Sequence, residues 1–238
     1  MSRRAIQLLD WTGRAAGLED RQTFRNWVSE PYAVDCEPSY KPPCKAVQAR
    51  LRGKSSTLSR LVMEPFFELT ERLNIPASDV DMVFASRFGE IQVLETLFES
   101  IFTKDTVSPL DFCNSVHHTA TGYASIASKN QQLSRTVSAN EQTFGAALFE
   151  AYALVVTGKS NTVMVLAADE KVPELFRQEG HCECSFGVAL AISAVDACTA
   201  FEATGRLRIS YDDVVQAYQR AESPVDWLRR CALKNEGL

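Results

Sequence analysis

The chain has 238 residues, 45% of them hydrophobic and 23% charged, with a formal net charge of −5. That composition suits a globular protein rather than a disordered one, and the acidic balance leaves no electrostatic footprint for nucleic acid. No apolar run approaches the ~18 residues of a membrane-spanning helix, so no membrane span is expected.

The N-terminal MSRRAIQLLD has two arginines and a short, interrupted apolar stretch. It reads as a first strand over residues 5–9, closed by Asp10 and Trp11, and not as a signal peptide. Seven cysteines are an odd count. With no secretion signal they read as reduced thiols of a cytoplasmic protein. Residues 19–50 contain Pro31, Pro38, Pro42 and Pro43 and read as a loop excursion. Ser55, Ser56 and Thr57 offer N-caps for a helix with the apolar face Leu58, Leu61, Val62, Phe66, Leu69 and Leu73, which Pro65 should kink. After a turn over 74–79, the pattern predicts a strand at 80–86 and helices at 91–102 and 115–129. A strand at 134–140, a helix at 143–157 and a strand at 162–168 follow.

In the helix at 143–157, Phe144, Ala147, Leu148, Ala151, Leu154 and Val155 share one face, and Gly158 stands where a C-terminal stop belongs. The run over 162–168 is nearly all apolar, as in a strand buried on both faces. Further strands are expected at 186–193 and, at an edge, within 201–211. Ser223, Pro224 and Asp226 supply an N-cap, a proline at N1 and an acidic N3 for a last helix near 224–233. The alternation of strands and helices implies a single α/β domain over 1–238.

Three motifs, in order, carry a family resemblance over roughly residues 80–195. The first is the strand over 80–85 followed by Ser86-Arg87-Phe88-Gly89-Glu90. The second is SPLDFCNSVHHTATGYASIASKN at 108–130, with Ser108, Pro109, Gly122, Ser125 and Ile126 at matching places. The third is SRTVSANEQTFGAALFEAYALVVTGKSNTVMVLAADE at 134–170. Together they resemble the ketosynthase branch of the thiolase superfamily, in which this last strand–turn–helix is the nucleophile elbow. Counting back from Glu170 without a gap places Gln142 where that family carries its cysteine; a slip of one residue would place Glu141 there. An amide neither ionises nor attacks a thioester, and glutamine at this place is a mark of chain length factors. The segment 112–117 resembles an SVHN signature of divergent ketosynthase-like N-terminal domains, departing from it at His118.

The resemblance implies a thiolase-like half with a five-stranded, mainly parallel sheet and helices on both faces. A full ketosynthase has two such halves and keeps its catalytic histidine pair in the second. The histidines here are His117, His118 and His181. The implied role is therefore a non-catalytic chain length factor of a type II polyketide system. It is similar to the half-length form of aryl polyene pathways and is expected to pair with a full-length ketosynthase. Asp111, Phe112, Ser115, Val116 and Thr119 would then form interface or acyl-tunnel wall. Arg50, Arg52, Lys54 and Arg60 would meet an acidic acyl carrier protein or simply form a solvated helix entrance. The glutamine also fits a malonyl-carrier-protein decarboxylase, and a partner-free binding module is a third reading. The HCEC run at 181–184 has no second ligand pair at zinc spacing, so no metal and no other cofactor is expected.

Overall fold

The computed structural model describes residues 6–36, 40–180, 182–195 and 207–235. Ala5, His181, Cys198 and residues 201–206 of the expected edge strand lie outside them.

The described residues form β1 (Ile6–Ala15), α1 (Arg21–Ser29), α2 (Ala49–Lys54), α3 (Thr57–Leu73), β2 (Asp81–Ala85), α4 (Ile91–Lys104), α5 (Pro109–Asn114) and α6 (Thr119–Ser128). They continue with β3 (Ser134–Val137), α7 (Thr143–Val156), β4 (Thr162–Asp169), β5 (Phe186–Ala194), β6 (Leu207–Ile209), α8 (Tyr211–Gln219) and α9 (Pro224–Asn235). The strands make one six-stranded sheet in the order β3-β2-β4-β5-β1-β6. β2 pairs in parallel with β3 and β4, while β5 runs antiparallel to both β4 and β1, and β6 antiparallel to β1. The expected five-stranded, mainly parallel sheet thus gains an edge strand and a mixed half. A parallel return from β4 would need a crossover helix. The link to β5 carries only a short 3-10 helix, Glu174–Glu179, so β5 turns back antiparallel.

Both faces of the sheet are covered. Alternate residues of β4 go to opposite sides: Val163, Val165 and Ala167 join the core beneath α7, and Met164, Leu166 and Ala168 join the core beneath α3 and α6. That double burial is why the strand reads as an unbroken apolar run. All six predicted face residues of α7 are buried, and so is Gly145. A Cβ on Gly145 would come within 2.4 Å of Tyr218 Cα, so α8 closes a second side of α7.

Several elements differ from their sequence patterns for identifiable reasons. β1 does not stop at Asp10 but continues to Ala15 through a bulge between Leu8 and Asp10. Asp10 stays in the strand because Arg21, Arg25 and Arg72 reach its carboxylate at 2.7, 3.0 and 3.1 Å. The excursion over 19–50 contains α1, capped by Asp20, whose carboxylate accepts from Thr23 N. The expected helix over 115–129 begins only at Thr119, as α6, with the separate short α5 before it, because His117 is drawn away to the carbonyl of Ser86, 3.0 Å from its Nε2. β3 ends at Val137. The expected reduced state of all seven cysteines is overturned for two of them: Cys36 and Cys184 form a disulfide with a Cα–Cα distance of 5.2 Å across 148 residues of sequence. That distance lies inside the disulfide span, and only the fold brings the two together.

Pro65 does not interrupt the 17 residues of α3. Proline lacks the N–H that the carbonyl of Leu61 would accept, and this carbonyl turns toward β5. There a Cβ on Gly187 would lie 2.0 Å from Leu61 O. Proline and glycine together let the helix lie close on the sheet. Gly187→Ala should therefore overpack the layer and cost about 3 kcal/mol, seen as a lowered midpoint in chemical denaturation. A change within experimental error would disprove the close approach.

Candidate functional site

The site lies at the carboxyl ends of the parallel strands, beneath the turn that enters α7. β3 leads to Asn140, which takes a left-handed conformation at φ 51°. A 3-10 turn over Asn140–Gln142 then opens α7. Thr143 ties this turn: its hydroxyl donates to Asn140 O at 2.6 Å and accepts from Ala139 N at 2.9 Å. Gln142 occupies the N-cap position of α7, and its side chain makes no capping hydrogen bond. The predicted placement of Gln142 at a helix N-terminus is what the structure has.

A cavity of about 210 Å³ opens beside the turn, and Asn140, Glu141, Thr143, Phe144, Cys182 and Phe186 contribute to its wall. Glu141, and not Gln142, contributes to this lining. Cys182 comes from the loop before β5, a residue that sequence reasoning did not associate with the elbow. Its thiol donates to Cys184 O at 3.2 Å, and burial, reinforced by the nearby Asp169 carboxylate, pushes its pKa up to about 12. The thiol is therefore protonated at neutral pH, unlike the activated thiolate that acyl transfer requires. Among the described residues no histidine lines this cavity. Among the described residues that line this cavity, Cys182 supplies the one thiol, and it is held protonated.

Two adjacent carboxylates at the end of β4 organise the floor. Asp169 accepts from Ser86 Oγ at 2.7 Å, Arg87 N at 3.2 Å and Phe88 N at 3.0 Å. Glu170 is buried on the opposite face, where the backbone N–H groups of Leu58 and Gln92, near the starts of α3 and α4, favour its charged form. Beside it Glu90 accepts from Ser56 and Ser59 hydroxyls at 2.8 and 3.0 Å. Burial is the main cause that raises both pKa values, to about 7 for Glu90 and about 8 for Glu170, where the Glu90 charge adds to the shift. The signal available in the sequence was the polar Asp-Glu pair ending an otherwise apolar strand.

His117 and His118 have separate tasks. His117 sits against Gly89, whose φ of 60° and missing Cβ leave room for the ring, and it braces the 86–89 turn. His118 Nδ1 lies 2.6 Å from Thr136 Oγ1 and joins the start of α6 to β3. Of the predicted tunnel residues, Phe112 and Val116 are 65% and 56% exposed. Ser115 and Thr119 instead bond locally, to Phe112 O and Cys113 O, and Asp111 N donates to the Ser108 Oγ cap at 3.3 Å. Phe98, Ile101, Phe102, Val107 and Leu110 of the α4–α5 region are also exposed, so an apolar surface adjoins Phe112. β3 lies at one edge of the sheet and pairs with β2 alone.

The basic cluster divides. Arg52 donates to Cys44 O at 3.3 Å, and Arg60 donates to Arg52 O at 2.7 Å, so both hold the loop before α3. Arg50 and Lys54 remain exposed and line a cleft with Leu51, Ile126 and Lys129. Gly53 lies within α2.

The profile of the beta-ketoacyl synthase N-terminal domain family matches residues 24–237. The chain belongs to that family. No curated protein matches it. Among solved structures it is similar to a ketosynthase in complex with its chain length factor from Xenorhabdus doucetiae, with a TM-score of 0.67, 24% identity, and coverage of 81% of this chain and 80% of that one. It is also similar to the ishigamide ketosynthase/chain length factor, with a TM-score of 0.66, 14% identity, and coverage of 85% and 64%. A type II polyketide synthase acyl-carrier protein in complex with its ketosynthase bound to the hexaketide gives a TM-score of 0.65, 13% identity, and coverage of 81% and 63%. The chain thus spans less than two thirds of these last two. The fold is the thiolase-like one of ketosynthases.

Two measurements check this site. At neutral pH iodoacetamide should modify exposed Cys113 at least about tenfold faster than Cys182, followed by peptide mass spectrometry; equal rates would refute the protonated, shielded thiol. The second concerns pH. A carboxyl with a folded pKa above its unfolded value stabilises the native state below the unfolded value and ceases to do so as pH rises through the folded one. Stability should therefore fall between about pH 5 and about pH 8, the window set by Glu90 and Glu170. Glu170→Gln should flatten that slope in thermal unfolding. Asp10 and Asp20, whose pKa values are lowered, act in the acid range instead, where stability is lost as pH falls.

Proposed function

We propose that this ketosynthase-like domain is a non-catalytic, chain-length-factor-type subunit of a type II polyketide system, of the aryl polyene kind, that pairs with a full-length ketosynthase. The observation that carries the reading is the elbow cavity itself. Gln142 stands at the helix N-terminus, Glu141 contributes to the wall, and the Cys182 thiol is held protonated. A protein that keeps the elbow geometry without a nucleophile supports chemistry performed in another subunit.

Two features support the partner. An open strand edge at β3 is a template for pairing with another chain, and contiguous exposed apolar side chains mark interaction surfaces. Here Phe102, Phe112 and Val116 are all exposed in the α4–α6 region, and His118 ties that region to β3. In this reading Asp111, Phe112, Ser115, Val116 and Thr119 belong to the interface and to one wall of the partner's acyl tunnel. The partner supplies the cysteine and histidines for condensation. Arg50 and Lys54, beside the exposed Ile126, are the better placed of the four basic residues to meet an acidic carrier protein. Arg52 and Arg60 support the loop behind them.

Co-expression with a full-length ketosynthase encoded beside it, followed by size exclusion, tests the reading. A one-to-one complex is expected, weakened by Phe112→Asp, and Val116→Trp is expected to shorten the product. A chain that stays monomeric and ignores the ketosynthase would overturn the assignment.

A further inference from the structure

A second cavity, of about 270 Å³, lies beyond the elbow cavity on the same side of the sheet. Its wall is largely apolar, from Leu18, Phe24, Trp27, Val34 and Val225. The two cavities share Phe186, Ser223 and Pro224 as lining residues, so the wall between them is one aromatic ring and the start of α9. The roof carries Val34, on the strap that the Cys36–Cys184 disulfide fastens to the loop before β5. α9 is fixed over α1 by Arg229, whose Nε donates to Val28 O at 2.9 Å and whose guanidinium stacks 4.8 Å above the Trp27 ring.

The charges at the rim decide the chemistry of the occupant. Arg229 and Asp226 face each other at 3.7 Å, so the guanidinium is already engaged with a carboxylate, a carbonyl and a ring. An acid head group would meet Asp226 and displace those contacts. A neutral, apolar group would displace nothing. In size, an apolar cavity of about 150 Å³ takes up a benzene molecule, so this one suits about ten non-hydrogen atoms.

We propose that this cavity is a binding site for the neutral, apolar tail of a thioester-linked acyl group, alkyl or aryl, which reaches it from the elbow cavity past Phe186. The delivery of such a tail rests on the chain-length-factor reading, whereas the affinity of the cavity for it does not. The elbow cavity and the apolar cavity then form one path inside this chain, distinct from the surface around Phe112, and Phe186 is the residue that admits or stops the tail. Val225 and Val34 set how far it can go.

The test uses methyl 4-bromocinnamate, titrated into the purified full chain, in complex with its ketosynthase where that is the form that purifies. Binding is followed by melting temperature and by quenching of tryptophan fluorescence. Saturable binding is expected, weakened by roughly tenfold or more in Val225→Phe and unchanged in Phe112→Ala. The anomalous signal of the bromine in a soaked crystal gives the position directly and decides the matter even where Val225→Phe fails to fold. Bromine among Trp27, Val34 and Val225 supports the site. Absence of saturable binding, equal binding in Val225→Phe, or bromine elsewhere overturns it. Loss of complex formation with the ketosynthase would instead overturn the functional reading and leave binding to this cavity intact.

Discussion

Asp169 and Glu170, the two carboxylates that follow the apolar run of β4, hold the rest of the site in place. Being adjacent in an extended segment, they point to opposite faces of the sheet. Asp169 gathers the N–H groups of Arg87 and Phe88 and the hydroxyl of Ser86. Glu170 lies beside backbone N–H groups near the starts of α3 and α4. The first N–H groups of a helix have no partner within it, so a buried carboxyl beside two helix starts lies where its charge is favoured. The turn after β2, and with it the rim of the elbow cavity, follows from these bonds.

The same burial that makes these bonds strong also penalises the charges. The Glu90 charge helps raise the pKa of Glu170, and each of the two leaves one carboxyl oxygen without a partner. Lys41 is the cation that lowers both, from the loop that precedes α2. The pair therefore links the protonation of the interior to the packing of two helix starts and a loop. Cys182 shows the same physics with a different outcome. Burial beside Asp169 keeps its thiol neutral, so a cysteine in the elbow cavity is chemically quiet where a cysteine at the elbow itself would face helix N–H groups.

Much of the fold was legible in the residues. The six-residue face of α7, the doubly buried β4 and the Ser223–Pro224–Asp226 start of α9 all follow from spacing and capping chemistry, and the structure has them in place. So does the position of Gln142. Where the pattern fell short, a long-range contact decided. Asp10 looked like a strand end until three arginines from α1 and α3 converged on it. Residues 115–118 looked helical until His117 was drawn to Ser86 O. The basic cluster looked uniform until Arg52 and Arg60 turned to backbone carbonyls and left Arg50 and Lys54 exposed.

The sequence by itself determined the α/β class, the strand–turn–helix with Gln142 at the helix start and the family resemblance, because these rest on local periodicity, caps and motif spacing. Only the tertiary structure decided the mixed sheet, the Cys36–Cys184 bridge, the entry of Cys182 into the elbow cavity and the apolar cavity behind Phe186. Each of those joins segments far apart along the chain. Which segments meet is set by how layers pack and where buried charges find partners, and no local pattern records it.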